Sequence, residues 1–161
     1  MAQIFISLGS NINKAEHIRR ALVALNQHFE NTHHSSVFES EAVGFAGNNF
    51  YNSVLAATTN MVLVDVCALL KQIERDNGRQ ANDKKFSPRT LDLDLLFYDD
   101  VICESPAQLP RDEITKNAFV LQPLAEVAPD FYHPVAKQTI AQIWNAYNNP
   151  QQMLWKVEFS N

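Results

Sequence analysis

The clearest pattern in the chain is an alternation of apolar and polar residues from position 91 to position 97. Leu91, Leu93, Leu95 and Phe97 occupy every second position, and Asp92 and Asp94 lie between them. Because successive side chains of a strand point to opposite faces, we expect the four apolar residues on one face and the two aspartates on the other. Strand geometry then places the two carboxylates roughly 6.5–7 Å apart.

Two carboxylates side by side on an apolar strand repel each other, and they are most readily kept where cations lie between them. Carboxylate oxygens are hard ligands, so Mg²⁺ is the natural candidate. Two such ions about 3.5–4 Å apart would fit this spacing. Arg89, just before the strand, keeps its charge and could hold a phosphate. The alternative is a solvated strand face with two charges; the regular alternation and the upstream Pro88-Arg89 favour the metal site.

The remaining periodicity predicts the order of elements. Segments rich in β-branched and aromatic residues predict strands at residues 3–8, 32–39, 50–59, 91–98 and 152–159. Apolar residues at helical spacing predict helices that end near residues 28, 77, 127 and 148. The first six elements follow the order β-α-β-β-α-β, the ferredoxin-like pattern, which places both helices on one face of an antiparallel sheet. The later helices would cover the other face, so we expect a three-layer α+β fold in a single domain, residues 1–161.

Composition and charge exclude several classes of function. The net charge is −5, so the chain lacks the basic surface of a nucleic-acid-binding protein. No apolar run approaches the ~20 residues of a membrane span, and the N-terminal residues read as a strand rather than a signal peptide. Cys67 and Cys103 lie in no CxxC motif, which favours a reduced, cytoplasmic protein.

No exposed apolar stripe stands out along the chain, so we expect a monomer. We also expect His17 on the exposed side of the first helix.

Any nucleotide site must rely on side-chain cations and metal, because the four glycines form neither a Walker motif nor a GxGxxG motif. The cations that could contact phosphate are Arg79, Lys84, Lys85, Arg89, Arg111 and Lys116. Aromatic candidates are Phe50 and Phe119. Asn52 shares a strand face with Phe50, so a flat ring stacked on Phe50 could meet the Asn52 amide. For either phenylalanine alone, core packing is the simpler interpretation.

Four strings carry a family resemblance. They are Gly9-Ser10-Asn11, Phe50-Tyr51-Asn52, Pro88-Arg89-Thr90-Leu91-Asp92-Leu93-Asp94 and the apolar segment 119–129 with Pro123, Glu126 and Pro129. In this order and at this spacing, they resemble the 6-hydroxymethyl-7,8-dihydropterin pyrophosphokinase family of folate biosynthesis, over nearly the whole chain. The resemblance implies transfer of the β,γ-pyrophosphoryl group of ATP to the pterin hydroxymethyl oxygen, which leaves AMP.

The resemblance also implies a role for each group of residues. Asp92 and Asp94 would bind two Mg²⁺ ions, and Arg79 and Arg89 would join them in catalysis. Pterin contacts would come from Ser40, Val43, Gly44, Phe50, Asn52 and Phe119. ATP contacts would come from Glu74, Arg79, Lys84, Lys85, Arg89, Leu95, Arg111 and Lys116. The loop 79–87 would close over bound ATP, as active-site lids do.

The chain departs from the family pattern at several nucleotide-contacting positions. Ala81 stands where the family usually has a second arginine, Arg111 where it has histidine, and Asn117 near a basic position. Each missing charge-assisted phosphate bond would cost roughly 1.5–3 kcal/mol. Two hypotheses follow: an active pyrophosphokinase in which Arg111 and Lys84 or Lys85 supply the missing cations, or a divergent paralogue. The paralogue would bind pterin, or phosphorylate a related pterin or nucleotide, without the standard activity.

Overall fold

The computed structural model describes residues 1–41, 49–78 and 91–160. Its strands are β1 (Ala2–Ser10), β2 (Glu30–His34), β3 (Phe38–Ser40), β4 (Phe50–Thr59), β5 (Asp92–Tyr98), β6 (Tyr132–His133), β7 (Gln138–Thr139) and β8 (Leu154–Lys156). Its helices are α1 (Lys14–His28), α2 (Leu63–Asp76), α3 (Ala118–Val127) and α4 (Ile140–Ala146), with a 3₁₀ turn at Asp112–Thr115. Among these residues, no helix has the length and apolar character that a membrane crossing requires.

The main sheet is antiparallel, with the strand order β5-β1-β4-β3-β8 and with β2 also paired to β4. This order places β1 and β4 at the centre, which is the ferredoxin-like arrangement predicted from the sequence. The short β6 and β7 form a separate two-stranded sheet. The predicted α+β fold is therefore confirmed.

Each face of the sheet packs against its own pair of helices. On one face, α1 and α2 bury residues such as Ile18 and Val66 against Ile6 and Leu93. On the other, α3 and α4 pack around Leu121, against the opposite side of the same strands. Full burial of each such aliphatic side chain contributes about 1.5–3 kcal/mol, so both layers are held mainly by apolar packing. The three layers predicted from the sequence are present.

A β-bulge in β5 corrects the predicted face of Phe97. Ile6 of β1 pairs with Leu95, but Phe5 pairs with Phe97, so Leu96 is an extra residue in β5. A one-residue insertion reverses the side-chain alternation beyond it. Phe97 therefore joins the core under α3 and α4, whereas Leu95 and the leucines before it pack under α1 and α2.

Two local expectations were also wrong. The strand expected at 32–39 is interrupted, because the hydroxyl of Ser35 accepts the backbone N–H of Val54 at 3.0 Å and β2 and β3 end on either side. His17 is buried rather than exposed, with Nδ1 2.7 Å from the carbonyl oxygen of Ile12. Both corrections come from side-chain bonds to the backbone, which hydrophobic periodicity does not report.

Candidate active site

Asp92 and Asp94 lie on the face of β5 that is turned away from α1 and α2. In the neighbouring strand β1, Gly9 is the partner of Asp92 and Ser7 is the partner of Asp94. Both aspartates are half-buried, in contrast to the leucines between and beside them, which are fully buried. The sequence prediction that the two carboxylates share one strand face is thus confirmed in the structure.

The backbone between the two aspartates is held from α2. The N–H of Leu93 donates to Glu74 Oε2 at 2.7 Å, and Glu74 is only 9% exposed. A buried carboxylate that accepts a backbone N–H makes a short, charge-assisted bond. Glu74 therefore ties α2 to the segment of β5 that carries the acids.

Arg111 contacts the acid pair from the loop before α3. Its Nη2 lies 3.3 Å from Asp94 Oδ1 and 3.0 Å from Glu113 Oε1, and its Nε donates to the same Glu113 oxygen at 3.1 Å. Burial alone would lower the pKa of Arg111, but the carboxylates of Asp94, Glu113 and Asp92 outweigh it and keep that pKa above its ordinary value. Arg111 is therefore a permanent cation at the acid pair.

A polar side chain and a small residue lie in the same row of the sheet as Asp92. Gly9 pairs with Asp92 on one side and with Asn52 on the other. Neighbouring strands are ~4.8 Å apart, so the backbones of Asp92 and Asn52 are separated by about 10 Å, with Gly9 between them. A methyl group added at Gly9 would lie 3.6 Å from Asn52 Oδ1 and 3.9 Å from the Phe50 ring. The position of Gly9 would therefore accept a methyl group with ordinary contacts, and an acid, an amide and an aromatic ring lie around it.

The orientation of Asn52 is set by Ser40. The amide nitrogen Nδ2 of Asn52 donates to Ser40 Oγ at 2.7 Å, and both residues are buried. The amide oxygen is consequently directed towards Gly9. Phe119, near the start of α3, is half-buried beside the core on this face of the sheet.

Comparison with known proteins identifies the family to which this chain belongs. The family model for 7,8-dihydro-6-hydroxymethylpterin-pyrophosphokinase (HPPK) matches residues 5–129. The chain belongs to this family. The resemblance predicted from its four strings is confirmed.

Relatives of known name support the HPPK assignment along most of the chain. The 2-amino-4-hydroxy-6-hydroxymethyldihydropteridine pyrophosphokinase of Aquifex aeolicus is 32% identical over 145 residues, covering 88% of this chain and 90% of that protein. The Pseudomonas aeruginosa protein of the same name is 35% identical over 137 residues, covering 82% and 84%.

A solved structure shares the fold. In a crystal structure of Plasmodium falciparum HPPK-DHPS with SDX-DHP, the match has a TM-score of 0.70 at 14% identity and covers 90% of this chain. This chain spans 43% of that longer chain, so the match concerns one part of a larger protein.

The HPPK site residues expected from the resemblance fall into three groups in the structure. The first group lies at or beside the row of Asp92, Gly9 and Asn52, and its members are Ser40, Phe50, Asn52, Asp92, Asp94, Arg111, Phe119 and, through its bond to Leu93, Glu74. Leu95 is buried under α1 and α2, so its side chain faces away from the acids, and Lys116 is exposed and paired with Asp112 at 3.0 Å. Val43, Gly44, Arg79, Lys84, Lys85 and Arg89 lie outside the described residues.

Sequence reasoning missed Glu113 and the position of Gly9 between the acid and the amide. Glu113 follows Arg111 by two residues and precedes Asn117 by four, and it contacts both side chains. That spacing was a usable signal, since i,i+4 pairs meet on a helical turn. The position of Gly9 between Asp92 and Asn52 depends on the register of three strands, which cannot be deduced from the sequence.

Within the described ranges there is no cluster of three or more His, Cys, Asp or Glu side chains suited to a metal ion. The residues nevertheless fit Mg²⁺, because Asp92 and Asp94 provide hard oxygen ligands on one face. Mg²⁺ usually takes one or two protein carboxylates and completes its shell with water and substrate phosphate. The Asp94 carboxylate is also already directed at a cationic group, Arg111 Nη2.

Proposed function

We propose that this HPPK family member transfers the β,γ-pyrophosphoryl group of ATP to the hydroxymethyl oxygen of 6-hydroxymethyl-7,8-dihydropterin. The products are the pterin diphosphate and AMP. One observation carries the assignment within the shown family: the row Asp92, Gly9 and Asn52 sets an acid and an amide on one sheet face about 10 Å apart. Such a row suits a flat heterocycle at one end and an anionic, metal-bound tail at the other.

Asn52 would read the polar edge of the pterin. Its oxygen is directed towards Gly9 and can accept from a ring or amino N–H, while Ser40 retains its nitrogen. Phe50 and Phe119 would stack on the two faces of the ring, as aromatic side chains do with flat ligands. The absence of a side chain at Gly9 leaves room for the ring to approach the sheet.

Asp92 and Asp94 would hold two Mg²⁺ ions. The ions, when bound, would neutralise phosphate charge and orient the nucleotide. In the transfer itself, the pterin oxygen forms a bond to the β-phosphorus and the bond from that phosphorus to the α,β-bridging oxygen breaks. AMP leaves with the electron pair, and the hydroxyl proton passes to water. Such transfers rely on alignment and charge more than on covalent catalysis, which agrees with a site of acids, cations and stacking rings.

Arg79, Arg89, Lys84, Lys85, Arg111 and Lys116 remain the proposed ATP contacts, together with Glu74 and Leu95. Leu95 could contribute through its backbone alone, since its side chain is buried in the other core. Glu74 would act indirectly, by accepting the backbone N–H of Leu93 between the two aspartates.

We further propose that the protein is a cytoplasmic monomer with a single domain, residues 1–161; its two cysteines are unpaired thiols. No observation in the described part of the chain favours the divergent paralogue.

The test is AMP formation from ATP, Mg²⁺ and the hydroxymethyl-dihydropterin. We expect turnover by the wild type and a fall of about 10²-fold or more in Asp94→Asn, because a metal ligand and its charge are lost. Asp100→Asn, which removes an exposed carboxylate at the turn after β5, is the matched control and should keep the wild-type rate. If the wild type forms no AMP although calorimetry shows pterin binding, the paralogue hypothesis replaces this one.

A further inference from the structure

Arg111 is fixed at both ends in the structure. Its backbone N–H donates to the carbonyl oxygen of Leu96 at 3.1 Å, which anchors the residue to β5. From there the side chain reaches back along the strand and divides its bonds between Asp94 and Glu113. A cation is therefore attached to one of the two proposed metal ligands by the chain itself.

Glu113 is held from its other side. Its Oε2 accepts from Asn117 Nδ2 at 3.2 Å, and Asn117 Oδ1 accepts from Gln152 Nε2 at 3.2 Å. Gln152 in turn accepts the N–H of Ala118, at the start of α3, at 2.7 Å. The carboxylate of Glu113 is thus kept in place by α3 and the C-terminal segment, and it remains a partner for Arg111 whatever happens at Asp94.

The Asp94 oxygen that Arg111 approaches cannot bind a divalent ion and the guanidinium at the same time. A divalent ion on the Asp94 oxygen that Arg111 Nη2 approaches at 3.3 Å would lie beside a guanidinium that cannot lose its charge. Like charges at such a distance repel strongly near a protein surface. Entry of a metal ion therefore requires Arg111 to withdraw, and Glu113 lies within its reach.

We propose that Arg111 is a tethered cation, meaning a cation of the chain itself that pairs with Asp94 in the ligand-free protein. When a divalent cation binds Asp94, the Arg111 side chain keeps only its ion pair with Glu113. The inference rests on the proposed role of Asp94 as a metal ligand. It makes Arg111 a positioning residue that sets the affinity for metal. A nucleotide phosphate gives Arg111 a further anionic partner, so metal and nucleotide should bind cooperatively.

The direct test is titration of MnCl₂ into the protein without nucleotide, followed by calorimetry and by the EPR signal of unbound Mn²⁺. Arg111→Gln should bind Mn²⁺ about tenfold more tightly than the wild type, because a unit charge beside the ligand is removed. Arg20→Gln, a loss of the same charge at an exposed position of α1, should stay within about twofold. This gain in Mn²⁺ affinity should vanish in the double variant Arg111→Gln/Asp94→Asn.

A second variant moves the affinity in the opposite direction. Glu113→Gln removes the other anionic partner of Arg111, so Mn²⁺ should bind several-fold more weakly than to the wild type. This variant carries the test if circular dichroism shows that Arg111→Gln does not fold. Adding α,β-methylene-ATP should tighten Mn²⁺ binding more in the wild type than in Arg111→Gln.

The outcomes separate this inference from the proposed reaction. Equal Mn²⁺ affinity in Arg111→Gln and Arg20→Gln, or a gain that persists without Asp94, would overturn the tethered cation even if the wild type forms AMP. An Asp94-dependent gain in a protein that forms no AMP would support the tethered cation and reject the reaction.

Discussion

Glu74 accepts a hydrogen bond at 2.7 Å from the backbone N–H of Leu93, the residue that separates Asp92 from Asp94. Because Glu74 is 9% exposed, water cannot readily replace it as the acceptor. Helix α2 therefore helps to fix the position of the part of β5 that carries Asp92 and Asp94.

Removal of this acceptor should destabilise the protein. Glu74→Ala leaves the Leu93 N–H buried without its carboxylate, which costs about 1–3 kcal/mol in the free energy of unfolding. Glu74→Gln keeps an oxygen acceptor and should cost less. Urea denaturation measures both.

The matched control for that measurement is Glu16→Ala on α1. Its carboxylate pairs with Arg19 and Arg20 at exposed positions, so its loss should change stability by less than about 1 kcal/mol. Equal stabilities of Glu74→Ala and Glu16→Ala would contradict a structural role for the Glu74 bond.

Ser40→Ala should weaken pterin binding without a direct loss of a proposed ring contact. The hydroxyl of Ser40 accepts from Asn52 Nδ2 and keeps the amide oxygen directed towards Gly9. Without it the amide can rotate, and one net hydrogen bond corresponds to a two- to tenfold rise in Kd, or about 0.5–1.5 kcal/mol. Calorimetry with the pterin and α,β-methylene-ATP measures this.

Ser53→Ala, on the strand that carries Asn52, is the control for loss of a buried serine hydroxyl. Ser53 lies next to Asn52 but on the opposite face, 3.0 Å from Ser35 Oγ. Its loss should lower stability and leave the pterin Kd unchanged. If Ser40→Ala and Ser53→Ala bind the pterin equally well, Ser40 does not orient Asn52 for the ligand.

Gly9→Ala should fold normally and yet bind the pterin less well. The added Cβ would make only ordinary contacts, 3.6 Å from Asn52 Oδ1 and 3.9 Å from the Phe50 ring. Alanine gives the unfolded chain less conformational entropy than glycine does, so the free energy of unfolding should be unchanged or rise by up to about 1 kcal/mol. The methyl group nevertheless fills space that the ring would use, and Gly9→Val should weaken binding further. A pterin Kd unaffected by either change would show that the ring does not approach Gly9.

His133 should make the stability of the protein fall in acid. Burial lowers the pKa of His133 from its ordinary 6.5, and a smaller backbone hydrogen-bond effect opposes this. The unfolded chain therefore takes up the proton first as pH falls through about 6.5, and stability that is complete above this pH is lost below it. The neutral ring also accepts the N–H groups of Val135 and Ala136 at Nδ1, at 3.2 and 3.0 Å.

The measurement is the free energy of unfolding in urea at pH 7.5, 6.0 and 5.0. His133→Asn can still accept at the position of Nδ1 but does not titrate, so its stability should depend less on pH than that of the wild type. His28→Asn, at an exposed position of α1, should keep the wild-type dependence. An unchanged slope in His133→Asn would assign the pH effect to other groups.

Much of the fold was predictable because the pattern is locally consistent. Alternation marked β1, β4 and β5, and helical spacing marked the ends of α1 and α2 to within a residue or so. At the start of α4, Thr139 and Gln142 form a capping box, which is another motif with a local sequence signature. The bulge at Leu96 was not predictable, since it depends on how β5 pairs with β1.

The candidate site was predictable in part for the same reason. Asp92 and Asp94 share a face because strand alternation requires it. The bond between Asn52 and Ser40 joins residues on different strands, and the contact between Arg111 and Asp94 joins residues seventeen positions apart. Neither has a local signature.

The sequence by itself determined most of the elements, the ferredoxin-like order and the pair of acids, because these depend on the period of the side chains and on short-range spacing. The tertiary structure alone decided which groups surround the acids: Gly9 beside Asp92, Glu74 behind Leu93 and Arg111 on Asp94. Register and loop placement set these neighbours, and both follow from packing of the whole sheet against its helices rather than from any one segment.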